Sequence, residues 1–404
     1  MFACRVLCLL TLALAPLPAF AQATPDGTLS HSHTHAGGEI DEVQPPLLFE
    51  VTYTAEIDSN VAGGLERATR YLDNLDLVLE ADLARLAGWK GAMVHVYGLY
   101  NNGTSFSPLV GDAQVTSNIE TGVQAFRLYE AWIAQDLGKA VNLKLGLYDL
   151  NSEFDSLDAG GVFTSSAHGI GTDISQSGVN GPSIFPVTSL AARLDVKPAE
   201  GWHLRGAVLD GVPGDPARPA ATVVRLSKAD GALLIGEVEA PVAGGKLLLG
   251  HWRYTAPQEM LAGGKAKGSD GVYFRGEVPL LGSDNGRRLD GFFRLGWADG
   301  KFSAFEHFAS LGFSLSAPFA RRPDDQLGLA VAAAFVSDAA RAAQGSGSAP
   351  GETSVELTYR AQMTPWLSLQ PNLHYVINPG ADRGIPDALI LGLRASVSAR
   401  PFGD

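Results

Sequence analysis

Seven arginines and one lysine of this 404-residue chain sit singly between apolar, aromatic or glycine neighbours: Arg127, Arg193, Arg205, Arg275, Arg294, Arg360, Arg394 and Lys144. The carboxylates Asp76, Glu80 and Glu277 and the phenols Tyr97, Tyr129 and Tyr148 recur in the same kind of stretch. Guanidinium and ammonium groups only donate hydrogen bonds, carboxylates only accept them, and aromatic faces stack on flat apolar surfaces. Such a set suits weak, repeated, non-covalent contact with a neutral polar solute. It does not make a nucleophile.

What must position them is legible in "VNLKLGLY" (141 to 148), where Val141, Leu143, Leu145 and Leu147 alternate with Asn142, Lys144, Gly146 and Tyr148. Side chains on a strand point to opposite faces with period two, so one face here is apolar and the other polar. The same alternation returns in Leu75/Leu77/Leu79, Leu190/Ala192/Leu194, Leu311/Phe313/Leu315, Leu327/Leu329/Val331 and Leu389/Leu391/Leu393. Composition agrees with a folded chain: 46% hydrophobic, 18% charged, 47 Gly. The start reads as a secretory signal peptide over 1–23, with Arg5, an apolar run and small residues before the cleavage point. Cys4 and Cys8 fall in it, so the mature chain has no disulfide, thiolate metal site or cysteine nucleophile. The formal charge of −13 argues against nucleic acid, which requires a basic surface.

Beyond the leader no apolar run reaches the ~18 residues of a membrane helix. Many ribbons, however, are long enough to cross a bilayer at a tilt, and the connections alternate between tight and long. Tight ones fall at 85–91, 137–140, 197–201, 241–245, 281–288, 317–325 and 364–366; long ones at 58–70, 101–123, 150–186, 210–231, 256–270, 299–305, 339–351 and 379–387. The parity predicts an all-β transmembrane antiparallel barrel of 16 strands, with short periplasmic turns and long extracellular loops. "TVVRLS" (222 to 227) is assigned to a small hairpin within its loop, since a further strand would break the alternation. Trp89, Trp202, Trp297 and Trp366 fall at ribbon ends, where interfacial girdles belong. A soluble β-sandwich alternates equally well, but lacks this spacing of turns.

The segments "LYDLNSEFD", "SSAHGIGTDISQSGVNGPSIFPVTSLAARL", "YLDNLDL", "VYGLYNNG" and "INPGADRGIPDALILGLR" resemble those of the carbohydrate-selective porins of Gram-negative bacteria, the OprB-like family, over roughly Phe49 to Val397. The resemblance implies an integral outer-membrane barrel that passes monosaccharides such as glucose by diffusion, with small neutral sugars, outer-membrane lipids and the barrel assembly machinery as partners and no cofactor. A general diffusion porin without sugar preference is the runner-up. The lumen residues expected from the alternation are those named above, together with Asn74, His95, Asn142, Asp195, His203, His251, Arg253, Tyr273, Glu356, Gln370, Asn372 and His374. Arg127 and Arg193 stand out because they flank strand 5 and the longest loop. Glu130 shares the parity of Phe126, Leu128 and Trp132, so it lies at an interface, pairs within the wall, or follows a bulge. The loop 150–186 is rich in turn formers and is expected to fold inward and narrow the channel, with Glu153, Asp155, His168, Asp173, Gln176 and Asn180 as sugar contacts.

Other chemistries fare poorly. No Gly-x-Ser-x-Gly elbow, His-Glu-x-x-His, phosphate-binding loop or cysteine pair occurs, and Ser166 near His168 in "SSAHG" is no catalytic geometry. His31, His33 and His35 form a tract within a periplasmic tail (24–48) that precedes the barrel domain (49–404). No metal site is assigned to them. The final strand is expected over 388–399, with Phe402 short of the terminal Asp404.

Overall fold

The structure, a computed structural model, describes residues 45–282 and 286–402; the leader and the tract His31, His33, His35 lie outside them. Sixteen strands close into an antiparallel barrel. The first eight are β1 (Leu47–Ala62), β2 (Thr69–Asp82), β3 (Ala92–Asn101), β4 (Ala125–Asp136), β5 (Val141–Tyr148), β6 (Ser189–Val196), β7 (His203–Asp210) and β8 (Ala232–Val242). The others are β9 (Gly245–Tyr254), β10 (Asp270–Gly282), β11 (Arg288–Ala298), β12 (Phe305–Ser316), β13 (Gln326–Val336), β14 (Gly351–Thr364), β15 (Leu367–Ile377) and β16 (Ala388–Phe402). Each pairs with its neighbours in sequence, and β1 closes on β16. Closure leaves no edge strand, so every backbone group in the apolar layer finds a partner. The barrel therefore matches the architecture expected from turn parity.

Alternation sets what each strand shows to either side. Leu145, Leu194, Leu204, Leu311, Leu329, Leu391 and Leu393 face outward and are exposed, as are Trp89, Trp202, Trp297 and Trp366 at strand ends and turns. Strand β4 changes phase: Tyr97 pairs with Glu130 and Gly98 with Leu128, leaving Tyr129 as the extra residue of a bulge. Arg127 and Tyr129 face inward before it, and Glu130 and Trp132 after it. The awkward parity of Glu130 is thus resolved by the bulge.

Three expectations are corrected. His251 and Arg253 are exposed on the outside of β9, whereas Leu248, Trp252 and Tyr254 are buried toward the interior. The lumen there is filled by apolar loop residues, so the usual rule of polar inside and apolar outside inverts locally. Residues 222–227 form no strand. Thr222 instead gives its hydroxyl to Leu128, accepting from the amide N at 2.8 Å and donating to the carbonyl at 3.2 Å, where β5 ends too early to pair with β4. The one small hairpin among the described residues pairs Gln258–Glu259 with Lys265–Ala266 in the next loop. Third, β16 runs on to Phe402, whose backbone pairs with Phe49.

One arc of the inner wall is made of small residues: Ser310, Gly312 and Ser314 on β12, and Gly328, Ala330, Ala332 and Ala334 on β13. That arc seats the third long loop (149–188). A Cβ on Gly328 would lie 2.8 Å from Phe163 of this loop. Gly328→Val is expected to overpack the contact and to cost about 1–3 kcal/mol, read as an earlier thermal unfolding transition in detergent with the barrel still assembled.

Candidate functional site

The third loop enters the barrel and builds a core inside it. Leu150, Phe154, Ile170 and Ile174 pack with Tyr148, Leu209, Leu233, Trp252, Tyr254 and Tyr273 of the wall, while Leu157, Val162 and Phe163 pack with Leu248, Phe292 and Ala330. Irregular backbone buried this way must still satisfy its N–H groups. Wall carboxylates do so. Glu237 accepts from the Asp155 amide at 2.8 Å, Glu277 from the Ala159 amide at 2.8 Å, and Glu356 from Thr164 and Ser165 at 2.8 and 3.0 Å. Gln370 donates to the Val162 carbonyl at 2.6 Å.

Charged side chains complete the fastening. Arg275 donates to Asp155 Oδ1 at 2.8 Å, and Arg294 bridges Asp155 (2.8 Å) and Asp173 (2.7 Å), all four side chains being at most 1% exposed. Glu153 meets Arg193 at 2.6 Å, Lys144 at 3.3 Å and the Tyr148 hydroxyl at 2.5 Å. Burial alone would raise the carboxyl pKa of Glu153, yet Lys144 and Arg193 hold it well below the usual range. Arg205 joins Glu237 and Glu239 within the wall. The second long loop (102–124) is fastened too, an inward fold that sequence reading missed. Arg394 and Glu56 hold its Asn118 and Ser117, and Glu352 accepts from the amides of Ala113 and Gln114.

Two cavities flank residues 151–158, one on each side. The upper, ≈ 370 Å³, is lined by Asn74, Tyr97, Gln114, Asn118, Tyr129, Asn151, Ser152, Phe163, His168, Gln176 and Phe185, among others. Its rings meet edge to face, Tyr97 with Tyr129 at 4.9 Å and Tyr129 with Phe185 at 6.2 Å between centroids. The lower, ≈ 310 Å³, opens among the short turns and is lined by Glu153, Asp158, Asp195, His203, Arg205, Glu239, Lys246 and Glu277, with Arg288 and Asp290 at its rim. Asn151, Ser152 and Leu157 serve the upper cavity, Glu153 and Asp158 the lower. This segment is the partition.

The expected site residues therefore divide. Tyr97, Tyr129, His168 and Gln176 line the upper cavity, and Glu153, Arg205 and Glu277 the lower. Arg127 and Asn180 border a side cavity of ≈ 250 Å³, Arg127 donating to the Pro219 carbonyl and Asn180 to that of Pro213. Asp76, Glu80, Lys144, Tyr148, Asp155, Asp173, Arg193, Arg275, Arg294, Arg360 and Arg394 line none of the three. Asp76 accepts from Tyr97, Glu80 meets His95, and Arg360 donates to Gln326. The arginines recur on strand after strand, and several of them serve to fasten the loops. Among the described residues no three His, Cys, Asp or Glu gather to hold a metal.

The model of the family described as "Carbohydrate-selective porin, OprB family" matches residues 66–398, nearly the whole barrel. The chain belongs to that family. Porin B of Pseudomonas aeruginosa is 24% identical over 396 residues, 86% of each chain. The high-pH structure of Pseudomonas putida OprB superposes with TM-score 0.77 at 21% identity, covering 88% of this chain and 94% of that one. The outer-membrane channel DcaP of Acinetobacter baumannii shares the fold at TM-score 0.53 and 11% identity, over 87% of this chain and 96% of its own. An OprB-family porin of sixteen strands is an integral protein of the Gram-negative outer membrane, and a channel, not an enzyme.

One group at the mouth of the third loop makes a pH prediction. Asp149 accepts from Tyr129 at 2.6 Å, and burial, with Glu130 beside it, pushes its carboxyl up to about 7. The native state thus holds this proton more tightly than the unfolded chain, so its stabilising effect is present below about pH 4 and is lost as pH rises toward 7. Asp149→Asn is expected to flatten that part of the stability-versus-pH curve, measured by thermal unfolding at stepped pH.

Proposed function

We propose that this porin passes small neutral sugars of the glucose type by passive diffusion, with selection at the partition formed by residues 151–158. The supporting observation is the pair of cavities it separates. Above it, aromatic faces and amide and hydroxyl groups stand together, which suits a solute with flat C–H faces and hydroxyls. Below it, charged donors and acceptors share the wall of the lower cavity. Release requires contacts that are weak and multiple. Relatives described as carbohydrate-selective support the solute class.

Single-channel recording in planar bilayers tests this reading. Glucose is expected to reduce the ion current in a saturable way, and Tyr129→Ala to weaken that block severalfold without altering the current at zero sugar. A current indifferent to glucose at concentrations well above the block expected for the native protein makes this a general diffusion porin.

A further inference from the structure

Three adjacent strands place Asp58 (β1), Gly392 (β16) and Asn372 (β15) on one rung of the barrel, all facing inward. Gly392 offers only hydrogen there. A Cβ on it would lie 2.3 Å from Asp58 Oδ1 and 2.2 Å from Asn372 Oδ1, so both oxygens lean over the glycine toward each other. Asp58 is 0% exposed and Asn372 5%. Neither carboxylate oxygen of Asp58 accepts from an N–H or alcohol donor, its one hydrogen-bonding neighbour being the carboxyl group of Glu56, and neither polar atom of the Asn372 amide has a partner. Two residues along β1, Asn60 Oδ1 is unpartnered as well, its Nδ2 being committed to the carbonyls of Gly63, Glu66 and Leu109.

Charge sharpens the problem. The groups that bear on Asp58 are the carboxylates of Glu56 and Glu120 and the guanidinium of Arg394. Arg394 is already engaged by Glu56 at 2.6 Å and Asn118 at 2.8 Å. The loop fasteners described above match each carboxylate with donors, whereas here acceptors face acceptors out of water. Two buried carboxyl groups side by side are costly as a pair of anions unless a proton or a further cation joins them.

We propose that Asp58 and Asn372, with Asn60 and Glu56 beside them, form a calcium site in the barrel wall. Calcium takes carboxylate and amide oxygens in flexible geometry and completes its shell with water. Gly392 lets the two oxygens approach over it, where any side chain would collide with both. The set holds fewer than three acidic or histidine ligands around one point, so it is a carboxylate-and-amide site. It is independent of the sugar reading, because none of these four residues lines either main cavity.

The test is calorimetric titration of calcium into the full mature chain, purified in detergent and stripped with chelator. One calcium per chain is expected. Asp58→Asn should weaken binding at least tenfold, and Asn372→Asp, which adds a second carboxylate over Gly392, should tighten it severalfold. Glucose flux should change in neither. Imidazoles favour zinc and copper over calcium, so the tract His31, His33, His35 does not imitate the result. Absence of calcium binding by the native protein, as when the Asn372 amide turns over to donate to Asp58, overturns the proposal. Binding that both variants leave unchanged overturns it as well, and if Asp58→Asn fails to assemble, the response of Asn372→Asp decides alone.

Discussion

Asp155→Ala is expected to widen the channel while leaving the barrel assembled. Asp155 is the common anchor of Arg275 and Arg294, and no part of it reaches either cavity. Removing it leaves two buried guanidinium groups, Arg294 with Asp173 and Arg275 with only backbone carbonyls, those of Gly169 and of residue 155 itself. Breaking a buried pair from one side costs on the order of 3–5 kcal/mol. The wall pairs along all sixteen strands, whereas the loop is held by a limited number of fasteners, so that cost falls on the loop's docking. Release of residues 151–158 merges the two cavities. The expected readout is a severalfold larger single-channel conductance, passage of solutes larger than a monosaccharide, and loss of saturable glucose block. Retention of the heat-dependent mobility shift in SDS would show that the barrel itself persists. Native conductance in this variant would mean that the partition does not depend on Asp155.

The second large effect contrasts two arginines that sequence alone ranks together. Arg193 holds Glu153 with Nε at 2.8 Å and one terminal nitrogen at 2.6 Å. Glu153 borders the lower cavity directly beneath the partition. Arg193→Ala leaves Glu153 to Lys144 and the Tyr148 hydroxyl and removes one bidentate, charge-assisted contact; such bonds contribute roughly 1.5–3 kcal/mol. Glucose flux through this variant is expected to fall or lose saturation by about tenfold, in line with that magnitude. Arg127→Ala is expected to leave flux near the native rate, because Arg127 faces Asn101 and the Pro219 carbonyl at the side cavity. Equal losses in both variants would place the passage elsewhere.

Much of the barrel is legible in sequence because a lipid-facing ribbon needs an apolar side chain at every second position, and the turns that join ribbons differ in length on the two sides. Leu391 and Leu393 show the rule, and Trp366 marks its edge. It fails where loops pack inside. On β9 the apolar residues Leu248 and Trp252 face inward because the third loop supplies an apolar surface, and His251 and Arg253 consequently point out. Inward orientation was legible for the arginines, but not their engagement: the Asp155–Arg294 contact spans 139 positions in the chain and leaves no periodic trace. Glu56, Asp58 and Glu237 were missed although their strands alternate plainly, as in Thr52, Thr54, Glu56, Asp58 and Asn60. The inward fold of the second loop had a signal as well, since Phe106, Leu109, Val110 and Ile119 are too apolar for a solvated loop and are buried beside Leu72 and Ile390.

The central claim is that a sugar of glucose size crosses this lumen by way of the loop-made partition. Solute entry into liposomes carrying the purified protein tests it most directly, with glucose compared to a neutral non-sugar of similar size and to a small anion. Faster, saturable entry of glucose is expected. Rates that follow solute size alone would contradict it.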